Sequence, residues 1–196
     1  ITMAVVFLLA GAFSSVTNAI GGVDATVNMG LSILPPSLIL PGLFVIAVFI
    51  STSMGTSMGT IGALVPIALG FAEVTGLSLP LAIGAVVGGA MAGDNLSIIS
   101  DTTIAATRTQ GVGMRDKFRL NLTIALPAML LTLAVLFVLG DTSIQPDPVE
   151  FNYRLVMPYL VVLILALCGL DVMIVLMTGI ILSGITGMLV TPQYQL

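Results

Sequence analysis

From residue 25 to residue 72 the chain runs for 48 positions without an Asp, Glu, Lys or Arg. No water-facing surface can be built from such a stretch, whereas a bilayer-crossing helix needs about 20 predominantly apolar residues. The remainder of the chain agrees. Of its 196 residues 58% are hydrophobic and 7% charged, against about 25% charged in an ordinary soluble domain, and the mean hydropathy is +1.21. Soluble globular, disordered, collagen-like and disulfide-scaffold classes are excluded. Five Lys+Arg against nine Asp+Glu leave a net charge of −4, so there is no basic footprint for nucleic acid. The absence of histidine removes the usual general base and transition-metal ligand. Cys168 is the single cysteine, which allows no internal disulfide, and it reads as a buried small hydrophobe. The apolar runs are continuous rather than alternating, which disfavours a membrane β-barrel. The chain reads as an all-α membrane protein with several transmembrane helices.

Charge-free windows at 1–23, 25–72, 74–93, 120–140, 155–170 and 172–196 predict six or seven helical elements. The first decays into polar, glycine-rich sequence after Phe13. Two loops carry most of the charge. Arg108, Arg115, Lys117 and Arg119 face a single Asp116 in one; Asp141, Asp147 and Glu150 face Arg154 in the other, beside Pro146 and Pro148. The positive-inside bias puts the basic loop in the cytoplasm and the acidic one outside. The apolar opening, without a basic region or a cleavage site, reads against a signal peptide. Both ends read as cut from a longer polypeptide.

Two places resist being ordinary transmembrane helix. Residues 51–62, STSMGTSMGTIG, hold Gly55, Gly59 and Gly62 among hydroxyls that include Ser53, Thr56, Ser57 and Thr60. Flanks of roughly 10–12 residues, about 15–18 Å, are each too short to cross alone. The segment is expected to be a re-entrant hairpin or a helix broken at membrane depth, and GxxxG packing between helices is the plainer alternative. The second place is DNLSIISDTT, residues 94–103, which follows a small-residue stripe of Gly84, Gly88, Gly89 and Gly93. It concentrates Asp94, Asp101, Ser97, Ser100, Thr102, Thr103 and Asn95 in ten residues. A carboxylate at membrane depth is costly unless protonated, paired or coordinating an ion. Arg108 is the nearest cation in sequence, so no local ion pair is expected, which leaves a proton or a metal ion. The all-oxygen ligand set suits an alkali or alkaline-earth ion. A polar surface loop capped by the two Asp residues is the alternative.

At these residues the sequence resembles the NhaC-type sodium/proton antiporters, in the ion-transporter group built from inverted repeats. Members of that family look like GTSxGT, then an apolar helix, then GDxxSPISDTT. The matches here are Gly55-Thr56-Ser57 with Gly59-Thr60, Gly89, Gly93-Asp94, Ser97 and Ile99-Ser100-Asp101-Thr102-Thr103; Ile98 stands where the family often has proline. The resemblance covers roughly residues 40–121. It implies cation/proton exchange, with residues 1–140 closing a first repeat that contains both broken-helix motifs. Residues 141–196 would be a linker and the first helices of a second repeat.

On this reading Na⁺ and H⁺ compete for one site formed by Asp101, Asp94, Ser97, Ser100, Thr102 and Thr103, with Asp101 the first choice for the exchanging carboxylate. Ser53, Gly55, Thr56, Ser57, Gly59 and Thr60 form the opposing wall. No cofactor is expected, and Na⁺ is cargo. Expected partners are Na⁺ and H⁺, the lipid bilayer, the rest of its own chain and, as one option, a second copy in a homodimer. The runner-up is a sodium- or proton-coupled carboxylate exchanger of the malate/lactate type. An intramembrane aspartyl protease is disfavoured, because both Asp residues share one segment and Met91 takes its first motif glycine; no enzyme is expected. A scaffold or a channel are the remaining classes. Asp24 is read as an interfacial loop residue, with a second proton site as the alternative, and Glu73 and Asp171 as turn residues.

Overall fold

The computed structural model describes residues 2–98, 100–140 and 151–190. Among these the chain is α-helical with one short 3-10 turn: α1 Thr2–Ala19, α2 Gly22–Ile33, α3 Ile39–Met54, α4 Ser57–Thr75, α5 Leu79–Leu96, α6 Asp101–Gln110, α7 Met114–Leu139, α8 Tyr153–Leu167 and α9 Val172–Val190. These nine helices exceed the six or seven expected, because two apolar windows are broken at glycines in the left-handed region and polar residues 101–110 form a helix of their own; the expected α8–α9 boundary also carries such a glycine. Gly21 (φ 75°) splits α1 from α2, Gly55 (φ 68°) splits α3 from α4, and Gly169 (φ 75°) lies between α8 and α9. Only glycine adopts this conformation without a steric cost. The acidic stretch with Asp141, Asp147, Glu150, Pro146 and Pro148 lies outside the described residues, apart from Arg154 in α8.

Several expected boundaries move, for one reason. A hydroxyl residue is tolerated inside an apolar helix when its O–H is satisfied by the carbonyl one turn earlier. Thus α1 does not end at Phe13: Thr17 Oγ1 donates to the Phe13 carbonyl at 2.7 Å, and the helix reaches Ala19 before turning by 78° into α2. In the same way Thr52 donates to Val48 O at 2.7 Å and Thr60 to Thr56 O at 3.0 Å. The flanks of the glycine-rich segment are therefore 16 and 19 residues rather than 10–12. At 1.5 Å per residue α4 is about 28 Å long, enough to span alone.

α4, α5, residues 115–139 of α7, and α9 are each long and apolar enough to cross a membrane, and the bent α1–α2 pair makes a fifth candidate; α3 and α8 are apolar but shorter. The basic loop is also largely helical. Arg108 closes α6, and Arg115, Lys117 and Arg119 lie in the opening turns of α7, so only residues 111–113 connect them. Asp24 sits in the first turn of α2 and Glu73 in the last turns of α4, both exposed. Asp171 is a turn residue whose Oδ1 accepts from the Met173 amide at 2.8 Å, capping α9. Cys168 is exposed, contrary to expectation, because it caps α8 in the turn before α9 instead of sitting on a packed face.

The core is a close pairing of α3 with α5, flanked by α4 and then by α1, α2, α8 and α9. Phe13, Leu40, Ala47, Ala68, Val86, Ala90 and Leu176 are fully buried within it. Close approach of α3 and α5 depends on two glycines. A Cβ at Gly89 would meet the Phe44 carbonyl, and one at Gly93 the Val48 carbonyl. This is the small-residue packing that lets helix backbones touch in lipid. Gly88 has only ordinary contact with Phe44, and Gly84 faces open space. Large apolar side chains such as Leu131, Val138, Ile181 and Leu189 point outward from α7 and α9. On a water-soluble surface they would drive aggregation; against acyl chains they are solvated.

Candidate functional site

The two helix interruptions meet across the α3–α5 interface. The first is two residues wide. Gly55 ends α3 with its amide on Ser51 O at 2.8 Å, and extended Thr56 caps α4 by accepting from the Gly59 amide at 3.5 Å. The second lies between α5 and α6. Ser97 leaves α5 in an extended conformation with its amide on Gly93 O and Asp94 O, and Ser100 is extended at the start of α6. The chain opens here without a proline: Ile98 is 55% exposed. Ile99 lies outside the described residues.

Cross-links fix the geometry. Ser51 Oγ donates to Ala90 O at 2.6 Å and Thr52 Oγ1 to Gly93 O at 3.2 Å. Ser57, the first residue of α4, donates to Asp94 Oδ2 at 3.1 Å. The positive end of the α4 dipole thus faces the carboxylate. The other oxygen, Asp94 Oδ1, is buried and has no hydrogen-bond partner among the described residues. An uncompensated buried carboxylate oxygen is expensive, and native structures keep such groups where something else completes them.

Asp94 lines a cleft of about 760 Å³ together with Ser57, Asn95, Thr102, Thr103 and Lys117. Ser97, Ser100 and Thr103 are buried, and Thr102 is exposed on the cleft. The Ser100 and Thr102 hydroxyls pair at 2.8 Å. Asp101 opens α6; its side chain lies outside the described residues. On the opposite side Ser57 is the residue that bonds to Asp94. Gly55 and Thr56 form the interruption itself, and Thr60 is buried with its hydroxyl turned back to Thr56 O. Gly59 and Ser53 face the α8–α9 turn: a Cβ at Gly59 would strike Val172, and the Ser53 carbonyl lies against Gly169. The freed backbone around Gly55 and Thr56 is therefore covered by protein, as hydrocarbon requires.

Lys117 overturns the expectation of a site without a nearby cation. Its ammonium donates to Asn95 O at 2.6 Å and Thr103 Oγ1 at 2.7 Å, within electrostatic reach of Asp94. Asn121, one turn further along α7, donates to Asn95 O at 3.1 Å and Asn95 Oδ1 at 2.8 Å. The reason is the short turn at residues 111–113, with Gly111 at φ 63°, which folds α7 back over the end of α5. Distance along the sequence concealed this. The signal available was the i, i+4 spacing of Lys117 and Asn121 on one helix face. Among the described residues no three Asp, Glu or Cys side chains gather in the manner of a multi-carboxylate or thiolate metal centre. The oxygens on offer come from one described carboxylate, hydroxyls and helix-end carbonyls, which suits a weakly held alkali ion.

Among known proteins, residues 1–141 match the model of the Na⁺/H⁺ antiporter family. The Malate-2H(+)/Na(+)-lactate antiporter of Bacillus subtilis (strain 168) is 36% identical over 137 residues, covering 67% of this chain and 29% of that protein. The Na(+)/H(+) antiporter NhaC of the same organism is 31% identical over 194 residues, covering 90% of this chain and 42% of that protein. NhaC of Alkalihalophilus pseudofirmus is 31% identical over 140 residues, 70% of this chain and 30% of the relative. The chain thus spans less than half the length of each. No solved structure matches it.

Proposed function

Because the chain belongs to the Na⁺/H⁺ antiporter family, a family of multi-pass membrane transporters rather than enzymes, we propose that it forms part of a carrier exchanging Na⁺ for H⁺ at the paired helix interruptions. The observation that carries the reading is Asp94: one carboxylate oxygen held by Ser57, the other buried, without a partner among the described residues and beside a polar cleft. A proton or a Na⁺ ion would complete that oxygen, and the two exclude each other. That exclusion is what couples their movements. Ser100, Thr102 and Thr103 supply hydroxyl oxygens, and Ser97 and Asn95 supply backbone at the end of α5. Asp101 is the second carboxylate of the segment, placed directly after the break. The inverted-repeat architecture, with a counterpart site contributed by a second repeat, belongs to the same reading.

The test is Na⁺-driven proton movement in vesicles containing the full-length protein. Asp94→Asn, which keeps shape and removes charge, reduces exchange at least a hundredfold with expression retained. Full activity in that variant places the exchanging carboxylate elsewhere, with Asp101→Asn the next variant to assay.

One observation favours a second reading. A cleft of about 760 Å³ is far larger than a single ion needs, and one relative is named for exchanging malate and lactate. A carboxylate co-substrate would be revealed by organic-acid uptake that depends on the Na⁺ gradient.

A further inference from the structure

Lys117 is the chain's single lysine. It occupies the second turn of a helix whose opening residues are charged and whose remainder is apolar. Nothing in that pattern requires its side chain to be partly buried, yet the ammonium reaches across to the end of α5 and the start of α6. Among the described residues its two acceptors are the Asn95 carbonyl, at the negative end of the α5 dipole, and the Thr103 hydroxyl. A carbonyl at a helix end and a hydroxyl are the oxygens an alkali ion takes in place of water. The cleft, Asp94 and these two oxygens share one wall.

We propose that the Lys117 ammonium is a tethered stand-in for the transported cation, holding the Asn95 and Thr103 oxygens in the empty site and being displaced when Na⁺ enters. The inference rests on the Na⁺ site proposed above. Two like charges cannot share oxygens that lie 2.6 and 2.7 Å from one of them. Entry of Na⁺ therefore swings the Lys117 side chain out into the cleft, while departure of Na⁺ lets it return. The tether keeps the empty site from collapsing and holds a positive charge within reach of Asp94. It joins α5, α6 and α7 in the empty state and releases that link in the loaded one. Lys117 acts through the oxygens it holds, so it is a positioning residue and a competitor.

Two measurements on the full-length protein test this. In vesicles, Lys117→Gln removes the competing charge. The Na⁺ concentration for half-maximal exchange then falls on the order of tenfold, since like charges a few ångströms apart repel by at least that equivalent. A loss of packing alone would not tighten Na⁺ binding. Half-saturation that is unchanged or higher overturns the proposal. The second measurement needs no variant: acylation of Lys117 by an amine reagent, read by peptide mapping, in Na⁺ and in choline at equal ionic strength. Na⁺ increases modification several-fold if the ammonium is displaced; equal or lower modification in Na⁺ overturns the proposal. The Asp94→Asn assay separates the two ideas. If Asp94→Asn abolishes exchange while Lys117→Gln leaves Na⁺ half-saturation unchanged, only the stand-in fails. If Asp94→Asn exchanges normally, the underlying site fails.

Discussion

Asp94 is asymmetric: Oδ2 accepts from Ser57, and Oδ1 is buried without a donor among the described residues. A hydrogen bond to a charged group contributes about 1.5–3 kcal/mol, so Ser57→Ala slows Na⁺-driven proton movement roughly tenfold or more while Asp94 itself remains. Unchanged rates and Na⁺ half-saturation in that variant would show that Ser57 does not orient the carboxylate. If one carboxylate serves both ions, acid favours the proton. The sign is then fixed: apparent Na⁺ affinity falls as pH falls, by about tenfold per unit (about 1.4 kcal/mol) once the proton dominates, and flattens at high pH. A Na⁺ affinity independent of pH over the range where transport varies points to separate sites. At this scale the sequence was partly legible. The GD and SDTT strings name oxygen-bearing residues, but a string cannot tell which hydroxyl is occupied at home. Thr60 bonds its own helix, Ser100 and Thr102 bond each other, and Ser57 alone of the expected wall is seen bonding to Asp94.

Helices set where those side chains meet. The α3–α5 contact is held by Gly89 and Gly93 against backbone carbonyls that have no room to retreat. Gly93→Ala therefore costs about 1–3 kcal/mol through overpacking. Gly84→Ala, on the same helix but facing open space, is neutral or gains up to about 1 kcal/mol from helix propensity. Thermal unfolding midpoints of the two full-length variants in detergent check the contrast; equal shifts would mean that the α3–α5 approach is not limiting. The stripe itself was readable from its four-residue spacing, whereas its partner was not. Spacing shows which face is small; the tertiary fold decides what arrives there. The same limit explains the misjudged flanks around residues 51–62. Glycines and hydroxyls read as broken backbone, but back-bonding by Thr52 and Thr60 confines the interruption to Gly55 and Thr56.

For the molecule as a whole, charge scarcity and continuous apolar runs were sufficient for the all-α membrane class, because hydrocarbon admits so few backbone solutions. They could not show that α7 folds back to bring Lys117 to the α5 end, which depends on three residues between α6 and α7. The positive-inside bias predicts that the basic start of α7 faces the cytoplasm. With Cys168, the chain's single cysteine, replaced by Ser, an Arg119→Cys variant is expected to react with a membrane-impermeant maleimide from the cytoplasmic side only. Labelling from the outer side alone would invert the topology.

Stiffness is unequally shared around the two interruptions. The one at Gly55 and Thr56 is clamped from behind, with Val172 against Gly59 and Gly169 against the Ser53 carbonyl. The stretch that follows α5 has no such backing: α6 is short, with Thr102, Ala105, Ala106 and Arg108 exposed, and its main neighbour is α7. Segments with few buried contacts yield first. The α3–α4 interruption would then act as a fulcrum and α6 as the compliant arm, so a cavity-making Val172→Ala is expected to loosen the bearing while leaving the oxygens of the proposed site in place.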